Sequence, residues 1–162
     1  MADPPSTRPD RPQRTLKQRA VALLARREYS RAELRKRLAP TGAHRDDVDA
    51  VLDELCATGL LSDARYAAAI VRQKSGSQSR RAIGHALREK GVDADEASAA
   101  LATIDGEDEL ANAQLLWARR FGAPPRDARE KARQFRFLLS RGYSHSIALK
   151  VLKAAGSQVA DA

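Results

Sequence analysis

Residues 87–101 read LREKGVDADEASAAL. Leu87 is followed four residues later by Gly91, and Gly91 nine and ten residues later by the apolar pair Ala100 and Leu101. The same frame recurs at 38–52, LAPTGAHRDDVDAVL, and at 138–152, LLSRGYSHSIALKVL. Leu38, Gly42, Val51 and Leu52 fill its places in the first, and Leu138, Gly142, Val151 and Leu152 in the last. Successive glycines lie 49 and 51 residues apart, and a shared register at such a period marks a repeated structural unit. In each copy the glycine stands where a helix should end, because glycine adopts the left-handed cap conformation without steric penalty.

Outward from these segments the apolar residues keep helical spacing. Leu16, Ala20, Leu23 and Leu24 trace one stripe of a helix. Val48, Val51, Leu52 and Leu55 trace another, as do Ala97, Ala100, Leu101 and Ile104. Ala148, Val151 and Leu152 begin the same pattern, and Tyr66, Ala69 and Ile70 follow it until Gln73 turns polar. Ser30 and Glu33 form the S-x-x-E pair of a capping box, and Ser62, Ser79 and Ser144 stand where N-caps belong. Gly59 and Gly122 are further helix stops. Strand-type alternation is absent.

The spacing predicts nine helices, at about 15–26, 30–38, 45–57, 62–74, 79–90, 93–103, 107–121, 126–140 and 144–155. They group into an all-α fold of three tandem three-helix repeats, at 15–60, 61–105 and 106–156. Residues 1–14, MADPPSTRPDRPQR, are expected to form a disordered tail, and 157–162 to fray. Gly84 falls inside the fifth helix, at a cost of roughly 1 kcal/mol against alanine.

The 162 residues are 43% hydrophobic and 31% charged, a composition able to bury a core. The net charge is +8, with 22 arginines against 7 lysines, which favours an acidic partner. One cysteine, Cys56, excludes an internal disulfide framework and a Cys-rich zinc site. No apolar run is long enough to span a membrane, and the N-terminus lacks a signal-peptide core, so a cytoplasmic location is expected.

Charge follows the repeat. Residues 26–38 carry six basic and two acidic groups, residues 72–90 six and one, and residues 119–141 eight and two. The closing helices differ: residues 45–58 and 92–106 are each net −4, and residues 144–155 net +2. A basic excess recurring at one place in each unit is expected to face an acidic partner. Asp46, Asp47, Asp93 and Asp95 read as acids favoured at helix N-termini.

Little in the chain supports catalysis. His44, His85 and His145 have no second ligand at metal spacing. Cys56 lies beside an apolar stripe and reads as a small buried or half-buried thiol. Ser75 to Ser79 reads as a loop and N-cap, without a phosphate-wrapping motif. Trp117, Phe121 and Phe135 alternate with arginines, and their helical spacing assigns them to the third core rather than to base stacking. No cofactor or metal is expected.

Four segments resemble one known family. Arg27-Glu28-Tyr29-Ser30-Arg31-Ala32-Glu33-Leu34 is similar to the R-E-[HY]-S-R-x-E-L signature of RecX regulatory proteins. Gly59-Leu60-Leu61-Ser62-Asp63-Ala64-Arg65-Tyr66 resembles their G-L-[LI]-[SDN]-D-x-R-[FY] segment. Arg119-Arg120-Phe121-Gly122 and Phe137-Leu138-Leu139-Ser140-Arg141-Gly142-Tyr143-Ser144 resemble their basic-basic-Phe-Gly element and closing box. The resemblance implies an elongated, curved array of three-helix units. It further implies a non-enzymatic protein that binds the RecA filament on single-stranded DNA and limits its growth, ATP hydrolysis, strand exchange and coprotease action.

The candidate contacts with RecA or DNA are Arg27, Arg31 and Arg35 in the first unit and Arg72, Lys74, Arg80, Arg81 and Arg88 in the second. In the third they are Arg119, Arg120, Arg126, Arg129, Arg133, Arg136 and Arg141. Expected partners are the RecA filament and single-stranded DNA, with duplex DNA as a further candidate beside them, and no membrane. A monomer is expected, since stacked units leave no obvious dimer stripe. Two rival readings remain: a helix-turn-helix module acting directly on DNA, and a metal-dependent nuclease using Asp46 and Asp47.

Overall fold

The computed structural model describes residues 15–160. The expected tail at 1–14 and the last two residues lie outside the described residues. Nine α-helices follow in order: α1 (Leu16–Leu24), α2 (Arg31–Leu38), α3 (Arg45–Ala57), α4 (Asp63–Lys74), α5 (Arg80–Glu89), α6 (Ala94–Leu101), α7 (Gly106–Arg120), α8 (Ala128–Ser140) and α9 (His145–Ala160). A short 3-10 turn, Ala39–Thr41, leads from α2 into Gly42. There is no strand among the described residues.

Local chemistry starts these helices. Ser30, Ser62, Ser79 and Ser144 accept from the backbone N–H three residues on, each satisfying an otherwise orphaned donor. Asp93, Asp105 and Asp127 cap α6, α7 and α8. Thr15 and Gln18 make a reciprocal capping box at α1. Ser30 makes only half of one, because the Glu33 carboxylate turns instead to Arg27 and Lys90.

Each set of three helices closes on its own core. Ala20, Leu34, Leu38, Val48, Leu52 and Leu55 are buried in the first unit, and Tyr66, Ala67, Val71, Ile83, Leu87 and Ala97 in the second. Ala113, Trp117, Leu138, Tyr143, Ala148 and Val151 are buried in the third. The frame leucines Leu38, Leu87 and Leu138 are 1%, 0% and 0% exposed, so the repeat register is a register of core positions. Gly84 is explained by packing: a Cβ there would stand 3.0 Å from Leu101 Cδ1, so glycine lets α5 and α6 close. The last helix runs past Gly156 to Ala160, beyond the stop that spacing predicts, since one interior glycine raises helix free energy by only about 1 kcal/mol.

The units join through one recurring contact. At Gly91 and Gly142 the backbone is left-handed, with φ of 73° and 89°. The amides of Val92 and Tyr143 donate back to Leu87 and Leu138, which turns the preceding carbonyl outward. That carbonyl meets the N-cap serine of the previous unit's second helix: Ser30 Oγ donates to Lys90 O at 2.6 Å, and the Ser79 amide donates to Arg141 O at 2.9 Å. The next residue repeats as well. The Arg31 amide donates to Asp63 of the following unit at 2.6 Å, and the Arg80 amide to Glu109 at 3.1 Å. Built Cβ atoms on Gly91 and Gly142 would stand 2.5 Å from Ala32 Cβ and from Ser79 Oγ respectively.

Candidate functional site

The fifteen candidate cations fall into two electrostatic groups. In the first unit all three are engaged internally. Arg27 lies in the turn before α2, stacks 3.7 Å from the Tyr29 ring centroid and pairs with Glu33 at 3.0 Å. Arg31 reaches Asp53 at 2.6 Å, and Arg35 reaches Asp49 at 2.6 Å. The hydrogen bond and charge of Glu33 outweigh burial and hold the Arg27 guanidinium above its usual range. Acidic α3 thus pairs with two of the basic residues of this stretch and Glu33 with a third, while Arg26, Lys36 and Arg37 have no carboxylate within ion-pair reach among the described residues. Cys56, expected to be buried or half-buried, is exposed beside Arg31.

A sequence signal for this pairing exists in the repeat register. Asp49 and Asp53 lie seven and eleven residues after Gly42. The same places after Gly91 hold Ser98 and Ala102, and after Gly142 they hold Leu149 and Lys153. The carboxylates that pair with Arg31 and Arg35 thus have no counterparts at the same places of the second and third units.

In the second unit Arg72, Lys74, Arg80, Arg81 and Arg88 have no carboxylate within ion-pair reach among the described residues. In the third unit the same holds of Arg126, Arg129 and Arg136. Arg119 is a joint residue: its guanidinium donates to the Gly76 carbonyl at 2.8 Å, tying α7 to the loop before α5. Arg120 and Arg133 lie 5.5 and 5.7 Å from the Phe121 ring centroid, and Arg141 5.3 Å from that of Phe137. Those rings are half-buried at the edge of the third core. Trp117 is inside it, its indole N–H donating to buried Gln134 at 2.8 Å.

Five of the cations line two clefts that both border Gly142. On one side a cleft of about 650 Å³ is lined by Arg80, Arg81, Arg88, Glu109, Tyr143 and His145, among others. On the other a cleft of about 680 Å³ is lined by Lys74, Arg81, His85, Arg88, Glu89 and Arg141, among others. Arg81 and Arg88 border both. Tyr143 is 1% exposed, its hydroxyl has no hydrogen-bond partner among the described residues, and burial pushes its pKa up to about 12. Asp46 and Asp47 are exposed in the first turn of α3. The described residues contain no group of three or more His, Cys, Asp or Glu placed to hold a metal ion. No helix among them is long and apolar enough to cross a membrane.

Comparison with known proteins covers the whole array. Residues 17–55, 62–101 and 107–152 match the family models described as the first, second and third three-helix domains of RecX. A "Regulatory protein RecX" from Leptothrix cholodnii is 47% identical over 146 residues, covering 90% of this chain and 92% of the relative. One from Chromobacterium violaceum is 43% identical, covering 86% and 90%. The crystal structure of RecX from Lactobacillus salivarius superposes with a TM-score of 0.73 at 20% identity, over 87% of this chain and 94% of that one. The last likeness is one of fold.

Proposed function

The chain belongs to the RecX family of regulatory proteins, and from that premise we propose that it is a negative regulator of the RecA recombinase. It binds the RecA filament on single-stranded DNA and restrains filament growth, ATP hydrolysis, strand exchange and coprotease action. It does so as a cytoplasmic monomer, without a catalytic step of its own. The observation that carries this reading is the complete array: all three family units, in order and joined by a repeated contact. Units stacked in a row present an extended surface, which suits a filament. The free cations of the second and third units supply the attraction to an acidic target.

The test is a triple charge reversal, Arg129→Glu, Arg133→Glu and Arg136→Glu. It should weaken binding to RecA filaments at least tenfold and leave helicity unchanged. Unchanged affinity would remove α8 from the contact surface. The rival helix-turn-helix reading draws on the basic second helices. It requires sequence-selective duplex binding, because base edges must be read within a groove. Competition between unrelated duplexes decides it.

A further inference from the structure

We propose that the trough formed by the two clefts flanking the Gly142 turn is a binding site for the phosphodiester backbone of single-stranded DNA, and that Arg27, Arg31 and Arg35 of the first unit take no part in it. This rests on the reading above and assigns one of that function's two acidic partners to a place on the molecule.

Three observations carry it. First, Lys74, Arg80, Arg81, Arg88 and Arg141 line the trough with no carboxylate within ion-pair reach among the described residues. The two acids that share its lining are placed otherwise: Glu109 accepts from the Arg80 amide, and Glu89 stands 3.6 Å from His85. Second, Arg81 and Arg88 border both clefts, so the positive surface continues from one side of the turn to the other. A chain with a charge on every residue matches a continuous row of cations, whereas a folded acidic surface offers isolated carboxylates. Third, in the first unit Arg31 is paired with Asp53 and Arg35 with Asp49, and Ala32 and Ala39 hold the places that Arg81 and Arg88 hold in the second.

The test uses the full chain and labelled oligo-dT without RecA, so its outcome is independent of filament regulation. Binding is measured by fluorescence anisotropy across a salt series. Each phosphate contact to a single strand contributes about 0.7 to the slope of log K against log salt. The triple variant Arg80→Gln, Arg81→Gln, Arg88→Gln should lower that slope by about 2 and weaken binding at least tenfold at low salt. The pair Lys74→Gln, Arg141→Gln, in the other cleft, should lower it by about 1.4, and keeps the test decisive should the triple variant fold poorly. The control Arg27→Gln, Arg31→Gln, Arg35→Gln should leave the slope unchanged. Three results would overturn the proposal: trough variants that bind like the unmodified chain, an equal loss in the first-unit control, or poly-glutamate competing as well as unlabelled oligo-dT. The last would assign the trough to an acidic polypeptide. Failure of the chain to inhibit RecA, with oligo-dT binding as described, would sink the proposed function and leave this site standing.

Discussion

The backbone amide of Ser79 donates to the carbonyl of Arg141 at 2.9 Å, and the residue after Arg141 is a glycine whose φ is 89°. This contact seats the third unit on the second. Its counterpart between Ser30 and Lys90 seats the second on the first. In the first unit, a Cβ built on Gly42 would meet nothing within 4 Å.

That difference predicts an order among three substitutions. Gly42→Ala meets only the left-handed backbone penalty of about 1–2 kcal/mol. Gly142→Ala adds a clash, since its Cβ would stand 2.5 Å from Ser79 Oγ and 2.6 Å from Ala82 Cβ. Gly91→Ala meets Ala32 Cβ at 2.5 Å. Both joint variants should lose more stability in urea melts than Gly42→Ala, and both should be cleaved faster between units by a protease. Equal losses at all three positions would contradict the joint.

The two joint serines should differ. Ser30 Oγ both caps Glu33 N–H and donates to Lys90 O, so Ser30→Ala loses two bonds, at about 2 kcal/mol. Ser79 reaches the next unit through its backbone, so Ser79→Ala loses only the Ala82 cap, about 1 kcal/mol. Chemical denaturation of the two variants measures the gap.

Acid should loosen the first joint. Burial opposes ionisation of Glu33, but the hydrogen bond and charge of Arg27, with Lys90 across the joint, outweigh it and hold the carboxyl below its ordinary 4.5. A depressed carboxyl contributes stability above its unfolded-state pKa and loses it as pH falls through the folded-state value. Glu33→Gln should be less stable than the unmodified chain near neutrality and converge with it in acid. Parallel profiles would show that the pairing contributes nothing.

Tyr143 gives the opposite limb. The folded chain holds its phenol proton to about pH 12, while the unfolded chain releases it near 10. Between those values the unfolded state binds fewer protons, so stability falls as pH rises. Tyr143→Phe should abolish that loss. Because the hydroxyl is buried with no partner among the described residues, the substitution should be neutral or stabilising by up to about 1 kcal/mol at neutral pH. A loss of stability would show that the hydroxyl is in use.

The architecture was legible because its signals are local. Leu38, Leu87 and Leu138 repeat with their glycines, and Ser30, Ser62, Ser79 and Ser144 cap the helices they precede. The site was legible only as charge. Counting ions stretch by stretch separates α2 from α3, so it misses that Arg31 and Arg35 meet Asp53 and Asp49 across the unit. The joint escaped altogether. Ser30 and Lys90 are sixty residues apart, and the Ser-Arg pairs at 30–31 and 79–80, with the frame glycines Gly91 and Gly142, are its traces in sequence. Arg119, a candidate ligand by composition, is tied to Gly76 by its guanidinium. Cys56 sits next to Leu55 in sequence, yet α3 turns it outward toward Arg31.

The most direct measurement is the single-stranded-DNA-dependent ATPase of the cognate RecA, with this protein titrated in far below the RecA concentration. A filament regulator inhibits strongly at such ratios, because one bound molecule affects many RecA protomers. Coating bare DNA needs stoichiometric protein. Undiminished ATP hydrolysis at substoichiometric ratios, with binding to single-stranded DNA intact, would contradict the account.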